Sequence, residues 1–105
     1  MRARDALEEI VNTVPGLFPV IEELRLFGSY ANGTNGALSD LDILVLTGET
    51  LRDRRLRAAI REEIDGIASK YRLETDIVFY TYDVLKTDDS RFTGELKKSV
   101  RLFRR

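Results

Sequence analysis

The sequence predicts a small α/β (α+β) domain in which a mixed β-sheet of about four strands is flanked by helices. Apolar residues recur at helical spacing in two long segments, and three shorter apolar segments have the composition of strands. Turn-forming glycine, proline and asparagine residues separate these segments. A length of 105 residues suits one domain, so we expect residues 1–105 to form a single unit.

Composition excludes several kinds of site. The chain has no cysteine and no histidine, which rules out disulfides, zinc–thiolate sites and histidine-activated nucleophiles. No apolar run is long enough to span a bilayer, and the N-terminus lacks the apolar segment of a secretory signal. A net charge of -1 argues against bulk electrostatic binding of nucleic acid. We therefore expect a cytoplasmic protein, with no membrane association or direct nucleic-acid binding, whose chemistry uses carboxylates.

The N-terminal segment is predicted to be a helix followed by an irregular stretch. Apolar residues within 3–14 recur on one helix face, and Pro15 with Gly16 is expected to end that helix. Residues 17–23 receive no assignment, because a second proline interrupts an apolar run. Residues 24–27 alternate apolar and polar side chains, which predicts a short strand.

The next segment is predicted to contain a helical turn at residues 30–33, a loop at 34–36 and a second strand at 41–46. This strand is apolar except for Asp42, which indicates a strand covered on both faces. An acidic residue in such a strand calls for a functional explanation.

The longest helix is predicted to begin with Thr50 and Asp53 as a capping box and to continue to about Lys70. Its polar face carries opposite charges at i, i+4 spacing in Arg57, Arg61 and Asp65. We interpret this face as solvated and stabilised by ion pairs. The alternative is that the arginine cluster contacts an acidic partner.

The C-terminal segment is predicted to begin with a third strand at residues 73–80 and a polar connection at 83–89. A short helix is expected from Ser90, followed by a last short strand at 100–103. The basic residues 104–105 have no evident function in the sequence.

Candidate site residues lie around the second strand. Asp40 and Asp42 are two residues apart, so they project from the same face and repel each other unless a positive group lies between them. A divalent metal ion is the usual solution. Upstream, Gly28 and Ser29 provide a tight backbone turn and a hydroxyl group suited to a phosphate.

A third acid, Asp76, lies near the start of the third strand. If that strand lies beside the Asp40/Asp42 strand, three carboxylates meet at one edge of the sheet. Such a set suits two divalent ions, and all-oxygen ligands favour magnesium. Taken singly, each feature has an ordinary structural explanation, but their combination favours a metal–nucleotide site. Ser39 is interpreted as structural, capping or turning the chain before Asp40.

The order and spacing of these residues resemble the nucleotidyltransferases related to DNA polymerase beta. The resemblance rests on Leu-Phe-Gly-Ser-Tyr-Ala-Asn-Gly at 26–33, Ser-Asp-Leu-Asp-Ile-Leu-Val at 39–45 and Thr-Asp-Ile-Val at 75–78. It covers the chain from Leu24 to about Tyr80 and implies the polymerase beta-like fold. Within this superfamily the chain looks most like the minimal nucleotidyltransferases, which are MntA-like antitoxins paired with HEPN-domain toxins.

The resemblance also implies residue roles. Gly28 and Ser29 would bind the triphosphate, Asp40 and Asp42 would hold two magnesium ions, and Asp76 would ligate one ion and help deprotonate the acceptor hydroxyl. The implied reaction moves a nucleoside monophosphate, AMP from ATP, to a hydroxyl of the HEPN-domain toxin, where the acceptor is a tyrosine.

One departure from the family pattern is Asn32, where many relatives carry an arginine that could assist the phosphates. Two other functions stay open. One is a non-catalytic antitoxin or binding subunit that neutralises its partner by steric contact. The other is a small-molecule nucleotidyltransferase of the antibiotic-modifying type, which generally requires an additional substrate-binding domain. Because the chain has little material for such a domain, we expect a partner chain or a second copy, as in a homodimer, to complete the cleft.

Overall fold

The computed structural model describes residues 2–36 and 39–105. The elements in chain order are α1 (Arg2–Leu17), β1 (Ile21–Phe27), α2 (Gly28–Asn32), β2 (Leu41–Thr47), α3 (Arg54–Lys70), β3 (Thr75–Thr81), α4 (Tyr82–Thr87), α5 (Arg91–Lys97) and β4 (Val100–Arg104). Among these helices, none is both long enough and apolar enough to cross a membrane.

The strands form one mixed sheet with the order β3-β2-β1-β4. β1 pairs antiparallel with both β2 and β4, whereas β2 and β3 are parallel and are connected through α3. A parallel pair needs such a crossover connection. The predicted small mixed sheet of four strands with flanking helices is confirmed.

Helices cover both faces of the sheet. On one face, α1 and α3 pack against the sheet through a cluster that includes Ile10, Val14, Ile60 and Ile64. On the other face, α4 and α5 contribute Leu85 and Leu96 to a smaller cluster with Phe27, Leu44 and Leu46. The apolar side chains of β2 are consequently buried on both sides, as predicted for this strand.

The first helix is longer than predicted. α1 continues through Pro15 and ends at Leu17, and the Phe18 amide still donates to the Val14 carbonyl at 3.1 Å. The prediction that Pro15 and Gly16 end the helix is therefore wrong. Proline removes one backbone hydrogen bond from the helix, but burial of Pro15 offsets this loss.

The C-terminal arginine stabilises the end of this helix. Arg105 Nη2 donates to the Pro15 carbonyl at 2.5 Å and to the Phe18 carbonyl at 3.2 Å, and Arg105 Nε donates to the Ile21 carbonyl at 2.7 Å. The basic end, which had no evident function in the sequence, thus satisfies carbonyl groups where α1 passes into β1. No local pattern indicates a contact between residues this far apart in the chain.

Two further boundaries differ from the predictions. The Asp53 side chain caps α3 by accepting from the Arg55 and Leu56 amides at 2.9 and 3.2 Å, and Thr50 lies outside the helix. The predicted capping box is wrong, because its acidic residue is itself the N-cap. The segment predicted as a polar connection contains α4, which is anchored by buried Leu85.

The predicted ion pairs on α3 are not observed among the described residues. Arg57 Nη1 donates to the Leu51 carbonyl at 2.5 Å, and the Arg61 guanidinium lies 4.9 Å from the centre of the Phe79 ring. Asp65 accepts from the Thr75 hydroxyl at 3.2 Å. Arg61 and Asp65 are exposed, as expected of a solvated helix face, but these contacts outside α3 replace the local pair that the helical spacing predicted.

Candidate active site

The turn after β1 packs directly against β2. Gly28 has φ +73°, and a β-carbon built at position 28 would lie 2.0 Å from Asp42 Oδ2. Any other residue would therefore be strained by the backbone conformation and would also collide with the carboxylate. Ser29, the next residue of α2, is half-buried beside this turn.

The sheet places Asp42 beside Asp76. Asp42 is the register partner of Phe27 on β1 and of Asp76 on β3. Paired residues on neighbouring strands project from the same face, so the two carboxylates are adjacent. Asp40 immediately precedes β2, two residues before Asp42. The tertiary structure thus brings the predicted acids of both segments to the end of the sheet at which β2 and β3 begin.

The electrostatics reflect this crowding. Burial, followed by the negative charges of Asp76, Asp40 and Glu95, raises the pKa of the Asp42 carboxyl from its ordinary 3.8 to about 6. Asp42 and Asp40 are half-buried, whereas Asp76 is exposed. The negative charges gathered at this site therefore disfavour ionisation of Asp42.

Sequence reasoning missed Glu95. This exposed residue lies on α5, which is held against the sheet by buried Leu96 and by Phe92, whose ring packs edge-on to Phe27 with 5.9 Å between ring centres. α5 thereby brings the Glu95 charge within electrostatic reach of Asp42. The sequence offers no signal for this, because Glu95 resembles any solvent-facing acid of a short helix.

Ser39 participates in the turn before Asp40. Its hydroxyl accepts from the Gly36 amide at 2.9 Å, and its own amide donates to the Gly36 carbonyl at 3.2 Å. These contacts agree with the structural role expected of Ser39.

Magnesium is the ion that the family resemblance implies. Within residues 2–36 and 39–105, no three acidic side chains converge as a ready-made set of metal ligands. The donor chemistry nevertheless fits a divalent cation, because Asp40, Asp42 and Asp76 supply only oxygen atoms and repel one another without a cation. A cation between them would relieve the repulsion that, together with burial, raises the pKa of Asp42.

Two cavities border the parallel strands. One, of about 450 Å³, lies against Asp76 between α3 and β3. The other, of about 340 Å³, lies at the far end of β2 and β3 beside Thr47 and Thr81, and none of the predicted site residues lines it. We assign the chemistry to the Asp76 end because the carboxylates and the Gly28 turn meet there.

Comparison with known proteins identifies the family of the chain. The sequence model of the nucleotidyltransferase domain matches residues 7–102. A Methanocaldococcus jannaschii protein, MJ0141, which carries the provisional name of a protein adenylyltransferase, is 34% identical over 79 residues, covering 73% of either chain.

Solved structures show the same fold. A crystal structure of a toxin–antitoxin with AMP-PNP matches with a TM-score of 0.65 and 25% identity, covering 93% of this chain and 73% of the other. A mutant of the toxin–antitoxin MntA-HpeT matches with a TM-score of 0.66 and 24% identity, covering 94% and 73%, and this second likeness concerns the fold alone. The chain therefore belongs to the nucleotidyltransferase-domain family and is a nucleotidyltransferase with the polymerase beta-like fold.

Proposed function

We propose that the protein is a magnesium-dependent adenylyltransferase that moves AMP from ATP to a hydroxyl group of a protein partner in the cytoplasm. The observation that carries this proposal is the position of the Asp42 carboxylate, which lies against Gly28 on one side and beside Asp76 on the other. The protein adenylyltransferase name of the Methanocaldococcus jannaschii relative supports the reaction. The presence of AMP-PNP, an analogue of ATP, in a structural neighbour supports ATP as the nucleotide substrate.

The proposed residue roles follow from position. Asp40, Asp42 and Asp76 hold magnesium, which when bound neutralises phosphate charge and activates the attacking oxygen. The Gly28 turn admits the triphosphate close to the backbone, and the Ser29 hydroxyl donates to a phosphate oxygen.

The reaction is an in-line displacement at the α-phosphorus. The acceptor oxygen forms a bond to phosphorus, the bond to the bridging oxygen breaks, and pyrophosphate leaves. Asp76 is exposed at the end of the sheet and helps to remove the proton of the acceptor hydroxyl.

The proposed partner is a HEPN-domain toxin, which makes the protein the antitoxin of a HEPN/MNT pair. The toxin–antitoxin structure with AMP-PNP supports a toxin as the partner, and the sequence resemblance implies that this toxin is of the HEPN class. The chain acts as a single nucleotidyltransferase domain, and the partner or a second copy completes the cleft.

A second candidate is a binding subunit that neutralises its partner by steric contact without catalysis. The observation that favours it is that the described acidic side chains do not already converge as metal ligands. The two functions differ in whether the partner is covalently changed.

The test combines the purified protein, the product of the neighbouring gene, magnesium and ATP, and measures the intact mass of the partner. We expect the partner to gain AMP units with the wild type and to gain none with Asp42→Asn. Asp89→Asn, at an exposed position outside the site, serves as the matched control and should retain transfer. A stable complex whose partner never gains mass would rule out the adenylyltransferase and leave the steric antitoxin.

A further inference from the structure

The cavity beside Asp76 is a groove between α3 and β3. Its volume is about 450 Å³, and it is lined by Arg61, Glu62, Asp65, Thr75, Asp76 and Ile77. One wall is therefore helical and the other is the beginning of β3. Asp76, to which we have assigned the acceptor proton, is one of the residues that line the groove.

The β3 wall is an outer strand of the sheet. Within the described chain β3 pairs only with β2, so no strand occupies its other edge. Such an edge can accept an extended segment of another protein through main-chain hydrogen bonds, while side chains of that segment enter neighbouring depressions.

The groove carries an excess of negative charge. Among the described residues that line it, Glu62, Asp65 and Asp76 are acidic and Arg61 is basic. The Arg61 guanidinium is held over the ring of Phe79, three residues along β3 from Asp76. The charge of the groove therefore suits a positively charged segment.

The two helical acids differ in their present contacts. Asp65 accepts from the Thr75 hydroxyl at 3.2 Å. Thr75 directly precedes Asp76 in β3, so Asp65 lies near the start of that strand. Glu62 is exposed and has no ion pair or hydrogen bond within residues 2–36 and 39–105. It lies one helical turn from Asp65, so both acids can face the same ligand.

We propose that this groove receives the acceptor: an extended segment of the partner protein lies along the free edge of β3, presents its hydroxyl to Asp76, and places a lysine or arginine against Glu62 and Asp65. This inference rests on the proposed function and adds the surface that selects the acceptor. Because strand residues are spaced about 3.3 Å apart, the basic residue lies within about two positions of the modified hydroxyl.

The test measures the KM for the partner protein and the KM for ATP separately in the transfer reaction. Glu62→Lys should raise the KM for the partner roughly fivefold or more, through loss of attraction and new repulsion, without changing the KM for ATP. Asp65→Asn, which keeps an acceptor for the Thr75 hydroxyl, should raise the KM for the partner less than Glu62→Lys does. Glu8→Gln, an exposed acid on α1, is the control.

A charge exchange makes the test specific. Mass spectrometry of the modified partner locates the hydroxyl, and the neighbouring lysine or arginine is changed to glutamate. This change should weaken transfer by the wild type and restore transfer by Glu62→Lys. Transfer by Glu62→Lys with an unaltered KM for the partner would overturn the groove as the acceptor site. Absence of any transfer by the wild type would instead overturn the proposed function itself.

Discussion

A β-carbon at position 28 would lie 2.0 Å from Asp42 Oδ2, whereas a β-carbon at position 33 would meet nothing within 4 Å. Gly28 and Gly33 have nearly the same φ, +73° and +72°. At both positions this positive φ would strain a residue with a side chain. Comparison of the two positions separates backbone strain from the steric requirement of the site.

We predict that Gly28→Ala abolishes nucleotidyl transfer and that Gly33→Ala retains most of it. Both variants should lose about 1 kcal/mol of stability from the left-handed backbone, and Gly28→Ala should lose more because Asp42 must move. Urea denaturation measures the stability and intact-mass analysis of the partner measures transfer. Equal activity of the two variants would show that the contact between Gly28 and Asp42 is not required.

Asp42→Asn is predicted to stabilise the metal-free protein at neutral pH. The pKa of Asp42 is raised in the folded state, so the protonated carboxyl contributes stability below about pH 3.8 that is lost as the pH rises through about 6. Asparagine does not ionise, so this loss does not occur in the variant. Because Asp42 is only half-buried, we expect a gain of about 1 kcal/mol or less.

Thermal unfolding in the presence of a chelator, at pH 4 and at pH 7.5, measures this effect. The stability of Asp42→Asn relative to the wild type should increase between the two values. A relative stability that stays constant with pH would contradict the crowded-carboxylate description of the site.

Tyr82→Phe is predicted to destabilise the packing of α4 on the sheet. The Tyr82 hydroxyl donates at 2.8 Å to Glu23, which is 1% exposed and also accepts from Arg101 at 3.2 Å. Removing one partner from this buried carboxylate should cost about 1.5 kcal/mol. Burial and this hydrogen bond raise the pKa of Tyr82 to about 12, so the donor stays protonated at neutral pH.

Tyr71→Phe is the matched control, because its hydroxyl also donates to a glutamate at 2.8 Å, in this case Glu9. Glu9 is more exposed than Glu23, so solvent can replace the lost donor and the effect should be smaller. Denaturant unfolding of both variants measures the difference. A larger loss in Tyr71→Phe would contradict the role of the buried Glu23 network.

Asp53→Ala is predicted to destabilise α3, and Thr50→Ala is predicted to have little effect on its stability. Asp53 accepts from two amides of the first turn, whereas Thr50 lies outside the helix. Loss of an N-cap costs about 1 kcal/mol, or about 4–8 °C in Tm for a domain of this size. The reverse order of the two effects would restore the capping box that the sequence suggested.

Part of the candidate site can be predicted from the sequence because its residues occur in recognisable local patterns. Asp42 stands out as an acid within an apolar strand, and its spacing from Asp40 places both on one face. Gly28 and Ser29 directly follow a strand. The effect of Glu95 on the pKa of Asp42 cannot be predicted from the sequence. It depends on the position of α5 over the sheet, which the contacts of Phe92 and Leu96 fix.

Helices α1 and α3 likewise combine features that the sequence predicts with features that only tertiary contacts explain. The apolar spacing of α1 predicts a helix, but its extension through Pro15 depends on burial and on Arg105 from the other end of the chain. The helical spacing of Arg57, Arg61 and Asp65 predicts ion pairs, yet each side chain instead contacts a group outside α3. These contacts can replace a local ion pair because an exposed ion pair contributes little to stability.

The sequence by itself predicted the kinds of elements other than α4, the mixed sheet with flanking helices, and the acids Asp40, Asp42 and Asp76 of the candidate site. Only the tertiary structure decided that Asp42 and Asp76 are register partners and that Gly28 must be a glycine to accommodate Asp42. It also decided that Asp76 lines a groove between α3 and β3, and that β3 is an outer strand of the sheet formed by the described residues. The physical reason is that periodicity and turn chemistry act over a few residues, whereas strand order, register and helix placement depend on contacts between distant segments.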